Sequence, residues 1–249
     1  MTINRALWYR LFDQKSFPGL PCPKCATGKL KLRQGTFSNT EPAYSQALHS
    51  HSDFEPEWID SRWVAQLSCD ETVCGEIVTL AGDTETVEFE IDEDGFHGWA
   101  QEEALRPRSV FPAPPLFRIP TDVPSKVAEQ LRLAFQLYWT DLPSCVARLR
   151  TSIEVMLDQQ GVPKTKMSTS SKPSRMTLHD RIKAFELQST GVDAADALQA
   201  LRNVGNLGTH GSHITQETVF DAVDVLEDAL LGVYEKKSIK AKAKKLKDL

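Results

Sequence analysis

Two close cysteine pairs, Cys22-Pro-Lys-Cys25 and Cys69-Asp-Glu-Thr-Val-Cys74, constrain this chain more than any other feature. Each lies on a tight turn beside a strand-like stretch. A tetrahedral metal wants four soft or borderline ligands, and two short cysteine turns supply them from two hairpins whatever the length of chain between. The spacing therefore predicts structural Zn2+ held by Cys22, Cys25, Cys69 and Cys74. Four thiolates fill the shell and leave no position for water, so such an ion holds the fold and does not catalyse. Gly28 and Gly75, just after the pairs, suit the left-handed turn that points both sulfurs inward. A redox cysteine pair would open a helix within a βαβ unit, whereas strands follow these turns. His49 and His51 fall in a polar loop and read as solvated. Cys145 stands alone within an apolar helical pattern and reads as a small buried hydrophobe.

The 249 residues, 41% apolar and 25% charged, suffice for two ordinary globular domains. The opening MTINRALWYRLFDQ has no apolar stretch of signal-peptide length, and no run approaches a membrane span, so a cytoplasmic protein with no membrane partner is expected. The net charge of −5 hides a gradient. Residues 1–120 hold 18 acids against 11 Lys/Arg, whereas the stretch from Glu235 to the end holds seven lysines against two acids. A mildly acidic body excludes a dedicated duplex-DNA binder with a broad basic face.

Hydrophobic periodicity divides the chain. Residues 1–20 read as a short helix through Leu7, Trp8, Leu11 and Phe12. Alternation marks strands around Leu30 and Leu32, in RWVAQLSC, in GEIVTLAG, and in TETVEFEID as a half-exposed edge. Residues 38–60 read as an inserted loop. The proline-dense RPRSVFPAPPLFRIPTDVP denies helix and central strand alike and reads as the domain boundary. Beyond it every strong pattern is helical. One stripe runs from Val123 to Tyr138 with Pro124 in the first turn. A second runs from Leu142 to Leu157 and stops at Gly161, a C′ residue. Shorter helices start at Leu178 and Ala194. The last is capped by Thr215 and stapled by Ile214 and Val219. Residues 162–177, with four basic residues and no acid, read as a mobile loop. The fold class is thus α+β: a zinc-ribbon-like β domain with inserted loops over 1–118, a helical bundle over 119–236, and a basic tail over 237–249.

In ALQALRNVGNLGTHG, Arg202, Asn206 and His210 stand four apart and line one side of a continuing helix, and glycines 205, 208 and 211 admit a close backbone. The same residues also read plainly as a helix C-terminus with a capping Asn, a satisfied His and turn glycines. CVARLRTSIEVML, with Arg150 and Glu154 one turn apart, and LRNVGNLGTHGSHIT before the last helix resemble the domain-of-unknown-function 4145 family from about residue 120 to 235. That resemblance implies a helical domain found beside restriction and defence modules in bacteria, in some members behind a cysteine ribbon. The family is in turn similar to HEPN domains, helical bundles that often dimerise and frequently cut RNA. By that likeness Arg202, Asn206 and His210 are the candidate catalytic set. The imidazole would exchange protons with the 2′-hydroxyl or the leaving oxygen, and the guanidinium would hold the phosphate. The polar Asn203 after Arg202 fits the HEPN mark; the gap from Arg202 to His210 is wider than that mark has.

Two functions follow. One is a nucleic-acid-associated, defence-linked prokaryotic protein with RNA as the favoured partner over DNA. If it is an enzyme, it is a homodimeric, metal-independent endoribonuclease. The loop at 162–177 and the tail together place eleven Lys/Arg where they add sequence-independent affinity for phosphates. The alternative is a non-catalytic interaction or scaffold module that recruits a defence-system protein through a helical dimer and the ribbon. A metal hydrolase on His179, Asp180, His210 and His213 requires a long-range meeting of side chains.

Overall fold

The computed structural model describes residues 3–93, 96–167, 172–188, 191–209 and 213–235. It is a mixed α+β chain of two compact units, Asn4–Pro114, and Pro115–Leu249 with Met1–Ile3. Among the described residues no helix is long and apolar enough to cross a membrane.

The first unit is an antiparallel sheet. β1 (Leu30–Leu32) and β2 (Ser38–Thr40) both pair with β3 (Arg62–Cys69), which pairs with β4 (Ile77–Glu93), which pairs with β5 (Phe96–Phe111). Strand alternation buries Trp63, Ala65, Leu67 and Cys69 on one face of β3, so the period of two that fills the core also turns the third sulfur inward. The end of β4 beyond the Arg62↔Asp83 pair is laddered to β5 alone, and from Glu85 to Glu90 exposure rises along the strand and does not alternate, with Phe89 exposed like its acidic neighbours.

Three further expectations for this unit need correction. The proline-dense segment does not begin as a linker, because RPRSVF is the last third of β5. The register slips between Ala81 and Gly82, so that Gly82 faces Pro107 and Arg108 is the extra residue of a bulge. Leu105 exchanges backbone hydrogen bonds with Phe12 on the outer side of β5, and Pro107 shares its parity. The missing N–H of Pro107 therefore points away from β4, where the ladder loses nothing. Asp83 clasps the bulge by accepting from Arg106 Nε and Arg108 Nε, both at 3.1 Å. At the N-terminus, helix is confined to a 3-10 turn at Arg5–Leu7. Phe12 spends its N–H and C=O on Leu105, and Phe12 and Trp8 are buried, so strand bonding defeats the i→i−4 pattern. Within 38–60 the chain forms β2, α1 (Ala43–Gln46) and 3-10 turns at Ala47–Ser50 and Pro56–Trp58, where a loop was expected. Glu41, Ser45, Tyr44 and Asp60 bond locally and hold this mostly exposed excursion together.

The second unit comprises α2 (Ser125–Thr140), α3 (Leu142–Gln159), a small hairpin of β6 (Thr165–Met167) and β7 (Pro173–Arg175), α4 (Leu178–Glu186), α5 (Ala195–Thr209) and α6 (Gln216–Leu230). Its core is built of Leu131, Phe135, Trp139, Ile153, Phe185, Leu198, Phe220 and Val223, all at most 1% exposed. Caps set the helix ends. The Asp141 carboxylate accepts from the Ser144 amide at 2.8 Å to start α3. At its end Gly161 has φ +73, with Val162 N–H donating to Leu157 O and Gly161 N–H to Asp158 O. That pair of bonds is the Schellman closure that a C′ glycine permits. α4 opens with a reciprocal capping box between Thr177 and Asp180, and Thr215 caps α6. Residues 165–167 and 173–175, expected as loop, pair as strands. Backbone bonds hold this hairpin with hardly any buried side chain, so no hydrophobic period announces it. The lysine tail from 236 onward lies outside the described residues.

Candidate functional site

Each cysteine pair is shaped by local backbone. In the first turn the Cys22 amide donates to Gly28 O at 2.9 Å and the Ala26 amide to Cys22 O at 3.0 Å, which curls the chain around its sulfurs. The amides of Lys24 and Gly28 point at Cys22 Sγ (3.4 Å) and Cys25 Sγ (3.3 Å), the donors a thiolate wants. In the second turn the amides of Cys74 and Gly75 both donate to Glu71 O. Gly75 takes the left-handed conformation (φ +57), as its position suggested. Gly28 does not; the left-handed residue of the first turn is Ala26, at φ 56. Gly28 is a glycine for a different reason: a Cβ there would lie 2.3 Å from Cys69 Sγ.

The β1–β3 register, with Leu30 opposite Cys69, brings the two turns together. The four sulfurs lie within 4.8 Å of one another, with Cys22–Cys74 and Cys25–Cys69 both at 3.7 Å. Four sulfurs about 2.3 Å from a central ion form a tetrahedron with edges of about 3.8 Å, so these separations suit one metal ion. Hydrogen bonds from the Thr27 hydroxyl, then from the Gly28 and Thr27 amides, draw the Cys25 thiol down to about 6. Burial pushes Cys69 up to about 12. A bound divalent cation would override both tendencies by deprotonating every sulfur it touches. Cys22, Cys25, Cys69 and Cys74 could therefore hold a metal. Its chemistry there would be closure of the fold. Cys145 is fully buried in α3 and its thiol is pushed up by burial, consistent with an inert core residue.

In the second unit, Arg202 and Asn206 lie one turn apart on α5; His210 lies outside the described residues. Arg202 Nη2 donates to Asn203 Oδ1 at 2.7 Å. Gly205 and Gly208 are inside α5 and let α3 approach. A Cβ on Gly205 would sit 2.5 Å from Arg150 Cβ, and one on Gly208 2.5 Å from Val146 Cγ2 and 2.6 Å from Pro143 O. The aliphatic stem of Arg150 thus crosses α5 at Gly205, between Arg202 and Asn206. Its guanidinium pairs with Glu154 at 2.8 Å. The sequence showed Arg150 and Glu154 one turn apart but gave no sign that they meet α5; only the glycine spacing hinted at a close neighbour. His179 hydrogen-bonds Gln199 at 3.0 Å and Asp180 belongs to the α4 cap, so both are occupied by packing and capping.

Residues 132–249 match the family described as a domain of unknown function (DUF4145). The helical resemblance read from the sequence is to that same family. Residues 10–109, with both cysteine pairs, match a second domain of unknown function (DUF8608), which the sequence reading did not anticipate. No curated protein and no solved structure matches the chain.

Proposed function

We propose that this is a nucleic-acid-associated protein in which a zinc-ribbon module is joined to an RNA-handling, HEPN-like helical bundle that works as a homodimer in cytoplasmic defence. What supports the RNA reading is the crossing of Arg150 over Gly205. It lays the aliphatic stem of Arg150 against the turn of α5 that carries Arg202 and Asn206, while its guanidinium pairs with Glu154. An arginine from each of two helices at one crossing would suit a phosphodiester, whose oxygens accept paired N–H donors. His210, four residues beyond Asn206, would then take the proton of an attacking 2′-hydroxyl or give one to the leaving oxygen. Arg202 would offset the charge growing on phosphorus oxygens and Asn206 would orient the chain. The zinc holds the ribbon and takes no part in this chemistry. The test is incubation of single-stranded RNA with the full chain in buffer without added divalent ions. The wild type is expected to cut, leaving 2′,3′-cyclic phosphate ends, and His210→Ala to be inactive with an unchanged melting temperature.

A second reading has its own observation. Gly205 and Gly208 are fully accounted for by the approach of α3, and Arg202 is engaged by its neighbour Asn203. On that reading the pattern is a packing device, and the protein is a non-catalytic module recruiting a protein partner. RNA left intact by the wild type, together with a lowered melting temperature for His210→Ala, would select it.

A further inference from the structure

A cleft of about 460 Å³ opens in the second unit between α3, the end of β7 and the start of α4. Four cations line it: Arg150, Lys164, Arg175 and Arg181. The carboxylates among them are Glu154, paired with Arg150 at 2.8 Å, and Asp158, paired with both Lys164 and Arg181 at 2.7 Å. Four positive groups against two negative leave the cleft with two charges uncompensated. Among the described residues, Arg175 has no ion-pair partner. The Arg181 side chain is 8% exposed; its Nη2 donates to Asp158 Oδ1 at 2.7 Å and to Val162 O at 3.3 Å, and its Nε, like that of Arg150, is buried with no hydrogen-bond partner.

The start of α4 adds to the same field. Its capping box consumes the amides of Thr177 and Asp180, and the helix then presents its positive end beside Thr177 and Leu178, which line the cleft. The other walls differ in kind. Val155, Met176 and Leu178 are apolar, and Glu154 offers acceptor oxygens beside them. The volume is in the range of small-molecule sites and much more than a phosphate group fills. A phosphate monoester carries about −1.5 to −2 at neutral pH and so matches the uncompensated charge, whereas each internucleotide phosphate carries only one negative charge.

We propose that this cleft binds the phosphate monoester of a nucleotide. The phosphate sits against Arg175, Arg181 and the start of α4, and the nucleoside lies on the apolar wall with its donors toward Glu154. The inference rests on the reading of the helical unit as the phosphate-binding half, and gives it a site for a terminal phosphate distinct from the α5 residues. The nucleotide is either free or the 5′-end of an RNA, and the same chemistry serves both.

Titration calorimetry of the full chain with adenosine 5′-monophosphate and with adenosine, alongside binding of a short RNA bearing either a 5′-phosphate or a 5′-hydroxyl, separates the cases. The monophosphate or the 5′-phosphorylated RNA should bind at least ~10-fold tighter than its unphosphorylated counterpart. Binding by both, or by the free nucleotide alone, or by the RNA end alone, supports the site and names its source. Arg175→Ala, an exposed change that spares the core, should weaken the phosphorylated probe ~10-fold, as should Arg181→Lys, which keeps the charge but loses the fork. Equal affinity for phosphorylated and unphosphorylated probes, or an Arg175→Ala protein that binds as the wild type does, overturns the proposal. RNA cleavage by the wild type together with such a result would leave the RNA reading intact while removing this site.

Discussion

Replacing Gly28 by alanine should weaken metal binding by the four cysteines without changing any of them. The added Cβ would lie 2.3 Å from Cys69 Sγ, and ordinary contact begins at 3.4 Å, so the sulfur and the turn must part by about 1.1 Å. The same Cβ would crowd the next two residues of the second turn, Glu71 Cβ at 3.1 Å and Asp70 Oδ1 at 3.2 Å. Asp70 is itself fixed by the Lys29 amide at 2.7 Å and Lys31 at 3.4 Å. A metal–sulfur bond tolerates displacement of about 0.2 Å, so the mismatch is several times what the centre absorbs. Overpacking of this kind costs roughly 1–3 kcal/mol, equivalent to a ~5- to 150-fold loss of zinc affinity. Competition with a chromophoric chelator reads that loss directly. Gly19→Ala is the matched control, because its Cβ would meet nothing closer than Lys29 Cδ at 3.6 Å. Wild-type zinc affinity in Gly28→Ala would show that the two turns do not meet as described.

Other consequences follow from the same geometry. Ala26 holds φ 56, so Ala26→Gly should stabilise the first unit by about 0.5–1 kcal/mol in a urea melt, relief of left-handed strain exceeding the added chain entropy. Gly208→Ala should destabilise the second unit by about 2 kcal/mol despite alanine's better helix propensity, since its Cβ would strike Val146 and Pro143. Gly232→Ala, where a Cβ meets nothing within 4 Å, should be neutral or slightly stabilising in the same melt. Burial opposes ionisation of Asp158, but hydrogen bonds and charge from Lys164 and Arg181 prevail and hold its carboxyl below the usual range. A depressed folded-state pKa contributes stability above the unfolded value, near pH 4, that is lost as pH falls through the folded one. Stability of the second unit should therefore drop below about pH 4, and Asp158→Asn should flatten that acid limb while lowering neutral-pH stability by about 3 kcal/mol as Arg181 loses its carboxylate.

Much of this architecture was legible because it obeys local rules. The cysteine spacings, the alternation in RWVAQLSC, the glycine after the α3 stripe and the threonine before α6 each act within a few residues, and the structure carries all of them. What escaped depends on partners distant in sequence. Phe12 leaves its helical pattern only because Leu105 is there to bond it, and Pro107 sits in a strand only because its nitrogen faces away from β4. Gly28 looks like a turn glycine until Cys69 is brought beside it. The β6–β7 hairpin has almost no core to imprint a period. Arg150 shares no local motif with Arg202 and Asn206, and the cleft beside it gathers α3, α4 and a strand end that only the folded chain unites.

The central expectation is that the four cysteines hold one zinc ion, and zinc-edge X-ray absorption on the purified chain tests it most directly. One ion per chain with four sulfur neighbours at about 2.3 Å is the expected spectrum. Clearly less than one ion per chain, or a shell containing nitrogen or oxygen ligands, would contradict it.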